Sequence, residues 1–203
     1  MDEITNKDNL WLNASRMEDE GNNFEAFVHF LKDATECLKQ NSSIKTALSC
    51  SCAASCLVNI GNLTTARQLY LESARIYEEN ADSIIAESIR ESLWSLQESY
   101  EHYLLGGNDE KAQKIYDKYI FLAKKINPFS GEDEIVKNLR MKKKHADTIM
   151  NMSNADLQIS AQVEKAIQNF TNLKKSNLNS DKEMGRDKTA IISRINRWRL
   201  ALH

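Results

Sequence analysis

The sequence contains very little proline and glycine: among its 203 residues there are one Pro and six Gly. An all-β fold with many tight turns needs more of both, so this composition excludes such an architecture and favours helix. Long apolar runs are also missing, since no stretch approaches the roughly 20 apolar residues of a membrane span. The first residues, MDEITNKDNLW, are acidic, whereas a secretory or mitochondrial leader is basic. We therefore expect a cytoplasmic protein with no transmembrane segment.

Motifs for nucleotide binding and catalysis are absent as well. The chain has no G-x-x-x-x-G-K-[ST] loop and no G-x-G-x-x-G loop. Its histidines show no H-x-x-x-H or H-E pairing and are dispersed at His29, His102, His145 and His203. No set of nucleophile, base and acid can be assembled from neighbouring residues. We therefore expect a non-catalytic protein that needs no cofactor.

Cysteine is scarce apart from one cluster. Cys50, Cys52 and Cys56 lie in the segment C-S-C-A-A-S-C. On a helix Cys52 and Cys56 share a face, but Cys50 points elsewhere, and no nearby His or fourth ligand completes a tetrahedral metal site. A disulfide between helical neighbours is also strained. We predict that these cysteines fill tight packing contacts and bind no metal.

What the sequence does contain is a repeat built on Gly, Ala and an aromatic residue. In the clearest copy Gly61 is followed by Ala66 and Tyr70. The same spacing recurs in two further copies, which are Gly21, Ala26 and Phe30, and Gly107, Ala112 and Tyr116. Gly ends one helix in the left-handed conformation, a following Asn or Asp caps the next helix, and the small Ala lets two antiparallel helices approach closely. The repeat therefore predicts a series of helix hairpins.

The spacing also predicts where the hairpins lie. We expect them at about 6–39, 43–79 and 83–126, each with a first and a second arm, and with Ser83 as the cap of the third. A degenerate hairpin at 132–176 follows Pro128, because the residue before a proline disfavours helix. These hairpins form one repeat domain over residues 1–176, followed by a polar linker at 177–185 and a C-terminal helix at 186–203. The predicted fold class is an all-α solenoid of antiparallel helix hairpins with a C-terminal helix.

Residues 66–79, ARQLYLESARIYEE, resemble the second-arm helices of tetratricopeptide repeats. They are most similar to the long-helix subgroup typified by soluble NSF attachment proteins, in which A..LY..A..Y.E stretches recur. The repeat glycines are 40 residues apart (21 to 61) and 46 apart (61 to 107), and a standard tetratricopeptide unit has ~34 residues. The resemblance covers about residues 8–126. It implies a right-handed superhelix whose concave face is built from first-arm helices.

The resemblance also implies which residues line that concave groove. Carrying over the family's positions in the register of the three glycines gives Asp8, Trp11, Ser15, Glu18, Asp19, Leu48, Ser51, Ser55, Val58, Asn59, Trp94, Gln97, Glu101, Leu104 and Leu105. Two tryptophans among carboxylates suit a peptide that bears Lys or Arg. The alternative is that both tryptophans pack between helices.

Charge is unevenly distributed along the chain. Residues 1–130 contain 13 Lys and Arg against 20 Asp and Glu, whereas residues 131–203 contain 14 against 9. The basic residues of the C-terminal part form a candidate patch of Arg140, Lys142, Lys143, Lys144, Arg194, Arg197 and Arg199. Such a patch can contact phosphate groups of nucleic acid or of a membrane surface, and the alternative is a solvated helix face. Aromatic residues are not interleaved with 140–145, so nucleic acid is the less favoured partner.

These observations predict an adaptor that binds a protein or peptide, in particular a basic or amphipathic helix, in its groove. An alternative of the same kind is an attachment-protein-like adaptor for an ATPase or a membrane-fusion machine. A different class is a nucleic-acid-associated regulator that uses the basic C-terminal half. The last helix carries an apolar stripe with Ile191, Ile195 and Trp198. It either caps the solenoid or docks into the groove of the same or a second copy, which would mean self-association.

Overall fold

A computed structural model describes residues 9–152, and this part of the chain is helical without any strand. Its helices are α1 (Leu10–Asp19), α2 (Asn23–Lys39), α3 (Ser43–Asn59), α4 (Leu63–Ile84), α5 (Ile89–Leu105), α6 (Asp109–Ile126) and α7 (Glu132–Met152). Helices α1 to α6 pack against one another in chain order. The predicted all-α class is therefore confirmed for these residues. None of the helices combines the length and the apolar composition that crossing a membrane requires.

The turns that follow α1, α2, α3 and α5 have the same backbone geometry. In each, a residue with positive φ follows the helix, at Gly21 (78°), Asn41 (57°), Gly61 (82°) and Gly107 (72°). The N–H of the next residue donates to a carbonyl five positions back, as from Asn108 to Tyr103 at 2.9 Å. The predicted role of the three glycines is confirmed. The glycine pattern did not predict the turn at Asn41, because this turn uses Asn, which tolerates a positive φ better than other non-glycine residues.

Two of the predicted asparagine caps close the start of the following helix. The side chain of Asn62 accepts from the N–H of Thr65 at 3.3 Å, and that of Asn108 accepts from the N–H of Lys111 at 3.0 Å. Each bond satisfies a donor that the first helical turn leaves unpaired. Asn22 makes no such capping bond.

The repeat alanines lie where helices approach closely. Ala26, Ala66 and Ala112 are at most 1% exposed. The aromatic side chains that follow them fill the adjoining space, because Phe30 and Tyr70 are buried, although Tyr116 is half-buried. The predicted close packing at the alanines is therefore confirmed.

Buried serines join α3, α4 and α5. Ser73 on α4 donates to the carbonyl of Ala47 on α3 at 2.7 Å. From α5, Ser92 donates to the carbonyl of Ala81 and Ser99 donates to that of Ala74, both at 2.9 Å. Small hydroxyl side chains let the backbones approach while satisfying their own donors inside the core. The middle of the repeat is thereby fixed by hydrogen bonds as well as by apolar packing.

One predicted boundary is wrong. Helix α4 runs to Ile84 instead of ending near residue 79, so Ser83 lies inside it and caps nothing. The hydroxyl of Ser83 donates to the carbonyl of Asn80, an intrahelical bond that serine makes readily. The cap of α5 is Ser88, whose hydroxyl accepts from the N–H of Glu91, and α5 begins at Ile89 rather than at 83.

Helix α7 confirms the helix predicted to start with the acidic residues 132–134. It packs mainly against α5 and only marginally against α6, from which it is separated by the exposed segment 127–131. By contrast, α3 packs to the same extent on α2 and α4, and α5 packs chiefly on α4. Helix α7 therefore departs from the stacking of the earlier hairpins and lies along a first-arm helix.

Several predictions fall outside the described residues. They are Asp8 of the groove, the second half of the hairpin at 132–176, the linker at 177–185, the C-terminal helix at 186–203 and the patch residues Arg194, Arg197 and Arg199. The right-handed superhelical sense also stays a prediction.

Candidate binding face

The first arms α1, α3 and α5 contribute to a common surface. The carboxyl of Glu18 on α1 lies within hydrogen-bonding reach of the Cys56 thiol on α3. Between α3 and α5, the Tyr70 hydroxyl of α4 is hydrogen-bonded with Ser55, and its ring lies 5.7 Å from the ring of His102. We call the solvent-facing side of these three helices the first-arm face. Its exposed and half-buried members are Leu12, Ser15, Asp19, Ile44, Leu48, Ser55, Asn59, Trp94 and Gln97.

The first-arm face carries large apolar side chains that no described residue covers. Leu12, Ile44, Leu48 and Trp94 are between 38% and 51% exposed. On α3, Ile44 and Leu48 are one helical turn apart, so they form a short apolar stripe. The second arms α2 and α4 expose no large apolar side chain. In α1 to α5, the exposed large apolar side chains therefore all lie on first-arm helices, whereas the second arm α6 exposes Phe121 and Ile126.

Both predicted groove tryptophans combine packing with exposure. Trp11 is half-buried and meets Phe30 edge-on, with ring centroids 5.1 Å apart. Trp94 meets Tyr77 edge-on at 5.6 Å and is still 43% exposed. Edge-to-face contacts hold the rings in place. Trp94 therefore presents a fixed aromatic surface to solvent.

The acidic end of the face lies on α1. Asp19 is exposed and Glu18 is half-buried. Burial, with a contribution from the charge of Asp19, raises the pKa of Glu18 above its usual value, and the Cys56 thiol opposes this shift. A cation placed here would relieve the repulsion between these neighbouring carboxylates.

The remaining groove positions are divided between surface and core. Ser15 and Ser55 are half-buried, as are the apolar positions Val58 and Leu104, and Asn59 is exposed and donates to Asn23 at 3.1 Å. Gln97 donates to the Tyr119 hydroxyl at 2.7 Å. Three positions are not open surface: Leu105 is 2% exposed, Ser51 is 9% exposed and bonds to its own helix, and Glu101 is 5% exposed.

Glu101 is buried because α7 covers it. Lys142 donates to Glu101 at 2.5 Å and to Glu98 at 2.9 Å, so one ammonium bridges two carboxylates on successive turns of α5. His145, one turn further along α7, lies 2.5 Å from the other carboxylate oxygen of Glu101. Burial alone would lower the pKa of Lys142, but the hydrogen bonds to Glu101 and Glu98 outweigh it and raise that pKa. We call Glu98, Glu101, Lys142 and His145 the α5–α7 ion cluster.

A buried histidine lies directly beneath this cluster. His102 is 7% exposed, and its Nδ1 is 3.0 Å from the Ser73 hydroxyl oxygen. Its ring contacts those of Tyr70 and Tyr77 at 5.7 and 5.5 Å. Burial lowers the pKa of His102 to about 4 against the opposing effect of the Glu101 charge. The imidazole is therefore neutral at physiological pH.

Glu98, Glu101 and His102 could in principle hold a metal ion, since one ligand atom from each lies within 4.8 Å of the others. The ammonium of Lys142 already lies against both carboxylates. A divalent cation would have to displace that ammonium and lose part of its own hydration shell. The lysine, by contrast, already neutralises both carboxylates without any bound ion. The geometry therefore favours an internal ion pair over a metal centre.

Some basic residues of the patch predicted at 140–144 form ion pairs with carboxylates of the same chain. Arg140 donates to Asp133 at 2.6 Å, and Lys142 belongs to the α5–α7 ion cluster. Lys143 and Lys144 are exposed. The described part of the patch therefore presents less free positive charge than its sequence indicates.

The three clustered cysteines lie in the packed interior, as predicted. Cys50 and Cys56 are buried, Cys52 is half-buried, and no disulfide joins them. Burial raises the pKa of both Cys52 and Cys56 to about 12, with a further contribution from Glu18. Thiols with such pKa values remain protonated and are poor nucleophiles and metal ligands at neutral pH.

Comparison with protein-family models, with curated proteins and with solved structures returns no match. The resemblance to tetratricopeptide proteins stays a prediction. Function is therefore argued from the residues of the face itself.

Sequence reasoning missed half of the α5–α7 ion cluster. It placed Glu101 in the groove and Lys142 in the basic patch, but it connected neither of them with the other, nor with Glu98 or His145. Each helix alone shows part of the pattern. Glu98 and Glu101 are three residues apart and so share one face of a helix, and the same holds for Lys142 and His145. Pairing the two signals requires knowing that α7 lies on α5.

Proposed function

We propose that this protein is an adaptor whose first-arm face binds an amphipathic helix of another protein. The observation that carries the proposal is that the face holds exposed apolar side chains beside acidic ones while an amphipathic helix, α7, already lies against α5. Apolar side chains provide affinity once desolvated, and the carboxylates orient a basic partner.

The open part of the face has the composition of a helix-binding surface. The side chains of Leu12, Ile44, Leu48 and Trp94 can accept an apolar stripe, and Glu18 and Asp19 lie at its α1 end. A bound helix with apolar residues three and four apart would cover these groups as α7 covers Glu101. The nucleic-acid alternative gains no comparable support, because Lys142 and Arg140 are engaged in ion pairs.

Binding of synthetic amphipathic helices to the full chain tests the proposal. The probe is a panel of fluorescent peptides that share one apolar stripe and carry Lys, Met or Glu at its centre. We expect the tightest member to lose about tenfold in affinity, or about 1.4 kcal/mol, with Leu48→Ser and with Trp94→Ala. The matched control is Phe121→Ala, since Phe121 is a large apolar side chain that is more exposed than Leu48 or Trp94 but lies on the second arm α6.

Two results would contradict the proposal. One is that no peptide of the panel binds the full chain. The other is that Phe121→Ala weakens binding as much as the first-arm variants do, which would mean unspecific apolar adsorption.

A further inference from the structure

Helix α7 is held on α5 by a stripe that is apolar except at its centre. Val136 and Leu139 are fully buried, Ala146 is 2% exposed, and Lys142 lies between them in the helical repeat. The side chain of Lys142 is about a quarter exposed. Opposite it, Glu101 receives its hydrogen bonds, within residues 9–152, from α7. The contact is therefore an apolar helix interface with a partly buried cation at its middle.

Such an interface differs from the packing inside the repeat. The buried contacts among helices α1 to α6 are made mainly by alanine, leucine, aromatic and serine side chains. Burying an ion pair costs desolvation, and an apolar pair in its place is often equally or more stable. Removing one partner is different, because it leaves the other charge buried and unpaired. The site therefore accepts any helix that brings a cation and disfavours one that does not.

The way in which α7 is attached to the rest of the molecule allows another helix to take its place on α5. The segment 127–131 that leads into α7 is almost entirely exposed, with Phe129 fully so. Gly131, directly before α7, has no neighbour within 4 Å of where a Cβ would lie. Helix α6 contacts α7 only marginally. Release of α7 would open its contacts with α5, the Lys124–Glu132 ion pair with α6, and the apolar contacts of Ala146, Ile149 and Met150, but none of the hydrogen bonds that join α3, α4 and α5.

We infer that α7 is an internal ligand of the α5 part of the first-arm face, and that the partner displacing it is an amphipathic helix with one Lys or Arg in its apolar stripe. The inference rests on the proposed function and specifies its partner and its regulation. When α7 leaves, Glu98 and Glu101 lose the ammonium of Lys142. The incoming cation restores that compensation, which makes the charge at this one position the determinant of specificity.

The test uses the full chain with α7 released by a single substitution. Leu139→Asp puts a carboxylate into the apolar contact beside Glu98 and Glu101, whereas Met141→Asp puts the same charge on the exposed side of the same helix, where Met141 is 63% exposed. The probe is a fluorescent peptide with the sequence of residues 132–152. We expect Leu139→Asp to bind it at least about tenfold more tightly than the wild type or Met141→Asp, because the internal competitor has been removed.

The cation requirement is tested on the same background. A probe peptide with Lys142→Met should bind the Leu139→Asp chain about tenfold less tightly than the unmodified probe. Adding Glu98→Gln and Glu101→Gln to the chain should abolish that difference. Leu48→Ser should leave this probe's affinity unchanged, which separates failure of the inference from failure of the proposed function.

Amide hydrogen exchange of the wild-type chain keeps the inference testable even if Leu139→Asp fails to fold. Amides of α7 should exchange at least about tenfold faster than those of α3 to α5, since α7 opens by itself. Exchange of α7 as slow as that of α5 would overturn the inference. Equal probe affinity for Leu139→Asp and Met141→Asp would overturn it too, and so would a wild-type dimer whose copies exchange their α7 helices.

Discussion

At the scale of single residues, the most informative group is His102, a titratable side chain enclosed by the core. It lies under the α5–α7 ion cluster, and Ser73, Tyr70 and Tyr77 surround its ring. The net effect of burial and of the charges of Glu101, Lys142 and His145 is a pKa of about 4. A neutral imidazole packed in this way makes folding sensitive to acid.

We predict an acid-dependent loss of stability that is specific to His102. The folded pKa is depressed, so as pH falls below about 6.5 the unfolded chain takes up the proton first, and the free energy of unfolding decreases until about pH 4. The loss should reach about 3 kcal/mol over that window. Urea unfolding across the window should show a shallower pH dependence for His102→Gln. Parallel profiles for the two chains would show that His102 is not the responsible group.

At the scale of elements, the recurring turn explains how the helices end. Four turns use a positive φ, and the residue there is Gly in three of them and Asn41 in the other. The Gly, Ala and aromatic spacing predicted the three glycine turns and the packing of their alanines. The Asn41 turn and the end of α4 at Ile84 were not predictable in this way, because several residue types can occupy such positions and tertiary contacts determine which conformation is adopted.

The turn geometry predicts that alanine substitution lowers the free energy of unfolding at one exposed glycine, Gly107, but not at another, Gly131. Gly107 has φ of +72° with no neighbour within 4 Å, whereas Gly131 has equal space and no positive φ. Gly107→Ala should therefore lower the free energy of unfolding by about 1 kcal/mol through backbone strain alone. Gly131→Ala should leave it nearly unchanged. Thermal unfolding of both variants checks this, and equal effects would refute the assigned turn geometry.

At the scale of the whole molecule, the first-arm face and α7 form one system. Three residues that the sequence assigned to the groove, Trp94, Leu48 and Asp19, are exposed on first-arm helices, and their role in binding stays a prediction. The sequence could not predict that α7 covers Glu101, because the contacts join residues 41 and 44 positions apart in a region where the repeat pattern fades. The charge asymmetry along the chain was the one hint, and its physical meaning is that part of the basic half compensates the acidic half.

The most direct test of the account is to locate the bound helix. The isotope-labelled full chain is titrated with the tightest peptide of the panel, and chemical-shift changes are followed by nuclear magnetic resonance. The account predicts changes at the Trp94 indole and at amides near Leu12, Ile44 and Leu48, with α2 and the buried face of α4 unaffected. Changes centred on α2 or on α6 would contradict it.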